Sequence, residues 1–234
     1  MDQWLEWARG PLFRFSLAVM LLGLLRLVVI NVLNLVALTR RARDKRIPTK
    51  TVLRDTARWL FPFNRVPRHQ LFFTFISVVF HVSIIIVPIF LGAHIMLWER
   101  GFGVSWVALN QGWADTLTVI AIISAFVLFA RRASTTLTRS LSRAQDYVLP
   151  LLIASVFITG FLAMHPALNP FEYDPTMLVH VLCSNLVLIA IPFSKLSHMV
   201  LFPITQLVSE LGWHLAPTGG QEVMFALGKE GEPV

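Results

Sequence analysis

Long apolar runs with almost no charge alternate with polar connections along this chain, at roughly Leu12–Leu38, Leu71–Leu97, Ala114–Ala130, Val148–Met164 and Thr176–Phe202. A helix rises about 1.5 Å per residue, so each run is able to cross a hydrocarbon core ~30 Å thick. The pattern predicts an all-α fold, an integral membrane bundle of five transmembrane helices with its termini on opposite sides. A shorter pattern lies in the one long polar connection, Thr39–Gln70. There Val52, Leu53, Ala57, Leu60 and Phe61 recur among charged residues at helical spacing. That spacing predicts an amphipathic helix at the membrane surface, ended by Pro62.

Charge placement orients the bundle, because Lys and Arg are retained on the cytoplasmic side. The connection after the first run carries Arg40, Arg41, Arg43, Lys45, Arg46, Lys50, Arg54, Arg58, Arg65 and Arg68, and the one after the third carries Arg131, Arg132, Arg139 and Arg143. The opposite connections hold Arg100 and, over His165–Pro175, no basic residue. The N-terminus is therefore expected outside and the C-terminus in the cytoplasm. The first run is too long, and its downstream flank too basic, for a cleaved signal peptide. Residues 1–205 read as one membrane domain and 206–234 as a cytoplasmic tail.

Composition agrees: 56% of the 234 residues are hydrophobic, 14% are charged, and the formal net charge is +7. The basic excess is topological. A nucleic-acid surface would interleave aromatics with the basic residues, whereas here the aromatics lie in the apolar runs or at their edges. Trp98, Trp106 and Trp113 fall near the expected outer boundary, where indole rings favour the headgroup level. The lone Cys183 excludes an internal disulfide and a clustered-cysteine metal site, and reads as a small apolar residue.

Histidine inside a bilayer has to find a partner. His180 and His198 are 18 residues apart, about five whole helical turns and about 27 Å of rise, so one unbroken helix would carry them on one face near opposite surfaces. That is the arrangement for one helix to supply an axial ligand to each of two stacked hemes. His81 and His94 lie 13 residues apart on the second run, about 140° apart in azimuth on an ideal helix. Pro88 between them is expected to kink or unwind the helix and bring both rings inward. Antiparallel packing would then oppose His81 to His198 and His94 to His180. His69 is the alternative to one of the second-run histidines, and His69, His165 and His214 read as interfacial, solvated or supporting. HExxH, P-loop and GxGxxG patterns are absent from the sequence.

The run from His180 through Pro192-Phe193-Ser194-Lys195 to His198, with Phe80-His81 and Gly92-Ala93-His94 on the second run, resembles the gamma subunit of respiratory nitrate reductase over about residues 12–205. The resemblance implies a diheme cytochrome b with two heme b groups. His81 and His198 would ligate the cytoplasmic-side iron, and His94 and His180 the outer one. It also implies electron exchange with quinol or quinone as substrate, and with a cytoplasmic iron–sulfur subunit of a membrane oxidoreductase complex in the cell inner membrane. The longer spacing on the second run, Pro88, and the lack of a lysine around Asn110–Asp115 depart from the nitrate reductase pattern. The cytochrome subunits of heterodisulfide-reductase-like and sulfite-reductase-associated complexes match as well, so the terminal substrate stays open.

Bis-histidine iron has no open position and would only carry electrons. Arg26 in the first run and Lys195 beside His198 are candidate partners for heme propionates, each with snorkelling to the surface as the alternative. His165, Glu172, Asp174 and Asp115 are candidate proton acceptors at a quinol site. The rival readings are electron flow toward quinone, or a transporter or plain anchor without heme. A transporter would be expected to show repeated halves with interrupted helices.

Overall fold

A computed structural model describes residues 1–41, 49–60, 70–215, 219–226 and 228 of the chain. The described residues are helical with no strands. In order they form α1 (Asp2–Trp7), a π-helical turn (Ala8–Leu12), α2 (Phe13–Arg41), α3 (Thr49–Leu60), α4 (Leu71–Phe90), α5 (Gly92–Phe102), α6 (Gln111–Ser134), α7 (Thr136–Ser140), α8 (Gln145–Met164), α9 (Tyr173–Ala190), two 3-10 turns (Ile191–Phe193 and Lys195–Ser197), α10 (His198–Leu215) and α11 (Gly219–Ala226). Five helices are long and apolar enough to cross a membrane: Asp2–Arg40, Leu71–Phe90, Gln111–Ser134, Gln145–Met164 and Tyr173–Phe193. Only 17% to 28% of the most apolar window of each is buried. Large apolar side chains such as Leu22, Phe72, Ile123 and Leu186 therefore face outward, as lipid contact requires and water would penalise.

The chain divides into two compact units, Met1–Leu21 with Val66–Lys195, and Leu22–Arg65 with Leu196–Val234. In the first unit α4 packs on α6, α6 on α8, and α8 on α9. The buried face of α6 is Ala114, Thr118, Ala121, Ser124 and Ala125. These small residues recur at helical spacing and let neighbouring backbones approach closely where no hydrophobic force drives helices together. Phe80 of α4 and Ala154 of α8 meet Ala125, and Val87 and Phe157 meet Ala121 one turn away. The N-terminal π-helical turn lies on α9, where the buried Asn185 amide donates to the Ala8 carbonyl at 3.2 Å. In the second unit α3 packs on α10. Val52 and Thr56 of α3 and Leu211 of α10 are buried, so the amphipathic segment expected around Val52–Phe61 is a helix over 49–60 with Val52 inward. Pro62, expected to end it, lies outside the described residues.

Three apolar runs depart from the single helices expected. The first is helical from Asp2, because the π-helical turn accommodates Pro11. The second breaks at Leu91, whose backbone is extended (φ −70°, ψ 127°), giving α4 and α5 instead of one span over 71–97. The fifth stops at Ala190, since Pro192 and the extended Ser194 (φ −130°, ψ −179°) convert residues 191–197 into 3-10 turns. The five-turn register between His180 and His198 therefore does not exist: His180 is on α9 and His198 opens α10, in the other unit.

Candidate functional site

A helix end inside a membrane leaves carbonyls that must be satisfied by other donors. At the end of α4 each of the last four is met. Leu91 N–H donates to Val87 O at 3.0 Å. His94 Nδ1 lies 3.0 Å from Pro88 O. The Trp106 indole N–H donates to Ile89 O at 2.8 Å, and Leu109 N–H donates to Phe90 O at 2.7 Å. The break and the histidine are thus one construction. An unbroken helix would use the Pro88 carbonyl for its own ladder; the extended Leu91 releases it, and the ring three residues on takes it. A carbonyl can only accept, so His94 carries its proton on Nδ1 and presents Nε2 as the nitrogen with a free lone pair.

His180, two turns into α9, repeats the arrangement. Its Nδ1 lies 2.9 Å from Val156 O of α8, with Thr159 Oγ1 at 3.4 Å from the same nitrogen. The same tautomer follows, again with Nε2 available. The Val156 carbonyl is reached across α8 because residue 160 is glycine. A Cβ at Gly160 would stand 2.8 Å from His180 Cε1 and 3.1 Å from Nδ1. The two imidazoles are half-buried and nearly parallel, with centroids 6.2 Å apart and planes at 9°.

The 6.2 Å centroid separation is one that two ligands on one ion would also have. Metal–imidazole bonds are about 2.0–2.1 Å, and a ring centre lies about 1 Å behind its nitrogen, so rings on opposite sides of one metal have centroids about 6 Å apart. Ligating histidines commonly donate their other nitrogen to a carbonyl, which fixes the tautomer and raises basicity; both rings here do so. Among the described residues no group of three or more His, Cys, Asp or Glu side chains converges. Two imidazole nitrogens are too few to hold a bare ion firmly, but they complete an ion whose other ligands come from a macrocycle. The donor set of two imidazole nitrogens fits such a group, and Gly160 leaves room for the His180 ring itself.

His81, on α4, has its Nδ1 2.6 Å from Ser77 O, and it lines an open, largely apolar groove of about 340 Å³ with Ser77, Val78, Val82, Ile85 and Ile86. Arg26 is exposed on α2. Lys195, expected near a propionate, has its ammonium on Asp146, 2.6 and 2.7 Å from the two carboxylate oxygens. Arg132 completes that cluster at 3.3 Å. Asp115 and His165, 50 residues apart in sequence, come together at 3.3 Å. Glu172 stands just before α9 without a side-chain cap bond, and Asp174 lies in the helix's first turn. Cys183 is a half-buried free thiol. His69 lies outside the described residues.

The sequence alone does not mark Gly160, whose role depends on a contact between two helices, and it places Trp106 only in the headgroup belt. Nor does it mark Arg9, whose guanidinium reaches the Tyr173 hydroxyl at 3.5 Å, seven residues before His180. A glycine in the middle of an apolar span was the available signal for the first.

No family model and no solved structure matches the chain. It is 38% identical over 197 residues, 82% of its own length and 86% of the other's, to a protein of Nitratidesulfovibrio vulgaris (strain Hildenborough). The chain belongs to the same family as that protein.

Proposed function

We propose that the chain is a membrane cytochrome b subunit that carries electrons between quinol and a cytoplasmic iron–sulfur subunit of a respiratory oxidoreductase complex, by way of two bis-histidine b hemes. The observation that carries the reading is the His94–His180 pair: parallel rings at 6.2 Å, each with Nδ1 on a backbone carbonyl. A heme bound there would supply one-electron redox chemistry. His94 and His180 would hold the group, one from each side. The Pro88 and Val156 carbonyls hold the tautomers, and the apolar helices exclude water and lower the local dielectric.

For the second heme the sequence resemblance alone offers His81 and His198. The basic clusters after the first and third spans support a cytoplasmic placement of those connections, with the N-terminus outside and the C-terminus inside the cell inner membrane. In that orientation His94 and His180 belong to the outer side, and α3, α10 and the tail offer the iron–sulfur partner its surface. The pyridine-hemochrome assay on purified protein tests the reading: about two hemes per polypeptide are expected, and a value near zero overturns it.

A further inference from the structure

The Asp115–His165 contact joins two groups that no part of the electron path uses. Asp115 lies in the first turns of α6, which Asn110 caps by accepting Gly112 N–H at 2.9 Å. His165 ends α8 with non-helical backbone (φ −123°, ψ 76°). Its carbonyl is tied to the following loop by Leu168 N–H at 2.9 Å and Asn169 N–H at 3.1 Å. Its ring stacks on Phe161, centroids 4.2 Å apart. Both partners are therefore held by backbone, and their separation is a property of the fold.

The tautomer is again set by a carbonyl. His165 Nδ1 lies 2.9 Å from Phe161 O, so Nδ1 carries the proton and Nε2 faces Asp115 Oδ2 at 3.3 Å. The other carboxylate oxygen accepts from the Gln111 amide at 2.8 Å. In the neutral-imidazole form two lone pairs face each other across that gap. One added proton turns the contact into a charge-assisted hydrogen bond. The pair has room for one proton and gains a bond by taking it. The side chains of His165 and Asp115 are 28% and 30% exposed, open enough for a small molecule to touch. His165 lies five residues beyond Gly160, about 7.5 Å of rise from the residue against which His180 rests.

We infer that His165 and Asp115 together are the proton acceptor for a hydroquinone oxidised beside the His94–His180 site. This rests on the proposed electron-transfer function. Oxidation breaks the two O–H bonds of the hydroquinone and releases two protons and the quinone; its two electrons would go, one each, to the two hemes the chain is proposed to hold. The pair takes the proton of the hydroxyl that faces it onto Nε2 and passes it to water at the outer surface. The second proton, from the hydroxyl at the other end of the ring, goes to water at the outer surface. Gln111 holds the carboxylate so that Oδ2, not Oδ1, meets the imidazole.

The test mixes heme-loaded protein rapidly with a soluble naphthohydroquinone and follows heme absorbance in the wild type, His165→Gln and Asp115→Asn. Both variants should be reduced about tenfold or more slowly, while reduction by dithionite and the optical spectrum stay as in the wild type. Binding of the oxidised naphthoquinone, read by tryptophan fluorescence quenching, should change less than about twofold, since only proton transfer is removed. Asp115→Glu, which moves the carboxylate by one methylene, covers the case in which removing either group unfolds the protein. It should slow hydroquinone-driven reduction several-fold with an unchanged spectrum. Rates equal to the wild type, or quinone binding lost in parallel with rate, overturn the inference and leave the proposed function standing. Heme in the wild type that hydroquinone cannot reduce overturns both.

Discussion

Gly160 of α8 lies flat against the imidazole of His180: a Cβ on residue 160 would stand 2.8 Å from Cε1, closer than carbon atoms pack. The ring cannot swing away freely, because its Nδ1 is held by Val156 O at 2.9 Å. Gly160→Ala should therefore displace His180 or separate α8 from α9, an overpacking cost of about 1–3 kcal/mol, and Gly160→Leu should cost more. The expected readout is loss of one heme from the purified protein in the leucine variant, with an altered potential of that heme in the alanine variant. Full heme content and an unshifted redox titration in Gly160→Leu would show that His180 does not depend on this contact.

The two proposed ligand pairs, His94–His180 from the ring geometry and His81–His198 from the sequence resemblance, are separable by mutation. His94→Ala and His180→Ala should delete the same heme, because loss of either ring leaves iron held on one side only. His81→Ala and His198→Ala should delete the other. Redox titration of the four variants distinguishes the two components. If His69→Ala removed a heme and His94→Ala did not, the second-run assignment would move to His69.

How far the site was legible follows from what each feature depends on. The five apolar helices were readable from composition, because lipid leaves only long apolar helices as spans. The amphipathic α3 was readable from its periodicity. The histidines were found as residue types that do not belong in lipid, but their depths were reckoned on ideal helices, and both helices break. Pro88 signalled a disturbance near the right place, although the chain leaves the helix at Leu91, three residues later. Pro192 gives an equal warning for the last run, against which the 18-residue spacing of His180 and His198 fits five turns of a single helix. The contact of Asp115 with His165 depends on α6 packing antiparallel to α8, which no local pattern encodes. Lys195 lies beside His198 in sequence, but its ammonium is on Asp146, a partner 49 residues away.

The break at Leu91 depends on a side chain from outside the two helices. The Trp106 indole is the donor for Ile89 O, next to the Pro88 carbonyl that holds His94. Trp106→Phe keeps most of the ring contact with Trp98, whose centroid lies 6.2 Å away, but removes that donor. The expected cost is about 1 kcal/mol of stability, rising toward 3 kcal/mol if no water reaches the carbonyl. Thermal scans of heme-loaded protein should give a lowered midpoint with the heme on His94 and His180 released first. Release of both hemes together, at an unchanged midpoint, would show that Trp106 does not support the break.

The location of quinol chemistry is the last expectation, and it can be separated from the diheme reading. The acids and the histidine available as proton acceptors, Asp115, His165, Glu172 and Asp174, lie at the start of α6, the end of α8 and the start of α9. With the proposed orientation these ends face outside, on the side of His94 and His180. The opposite ends carry the compact cluster of Asp146 with Arg132 and Lys195, and the Arg131 guanidinium lies 3.5 Å over the Phe73 ring. A hydroquinone should then reduce the outer heme first, and His94→Ala or His180→Ala should block reduction of the inner heme, because the electron has lost its only entry. Stopped-flow reduction of the two single-heme proteins decides this. If the inner heme is still reduced at wild-type rate when the outer one is missing, the quinol site lies on the cytoplasmic side. Both hemes and their ligands would stand in that case, while the release of protons to the outside would not.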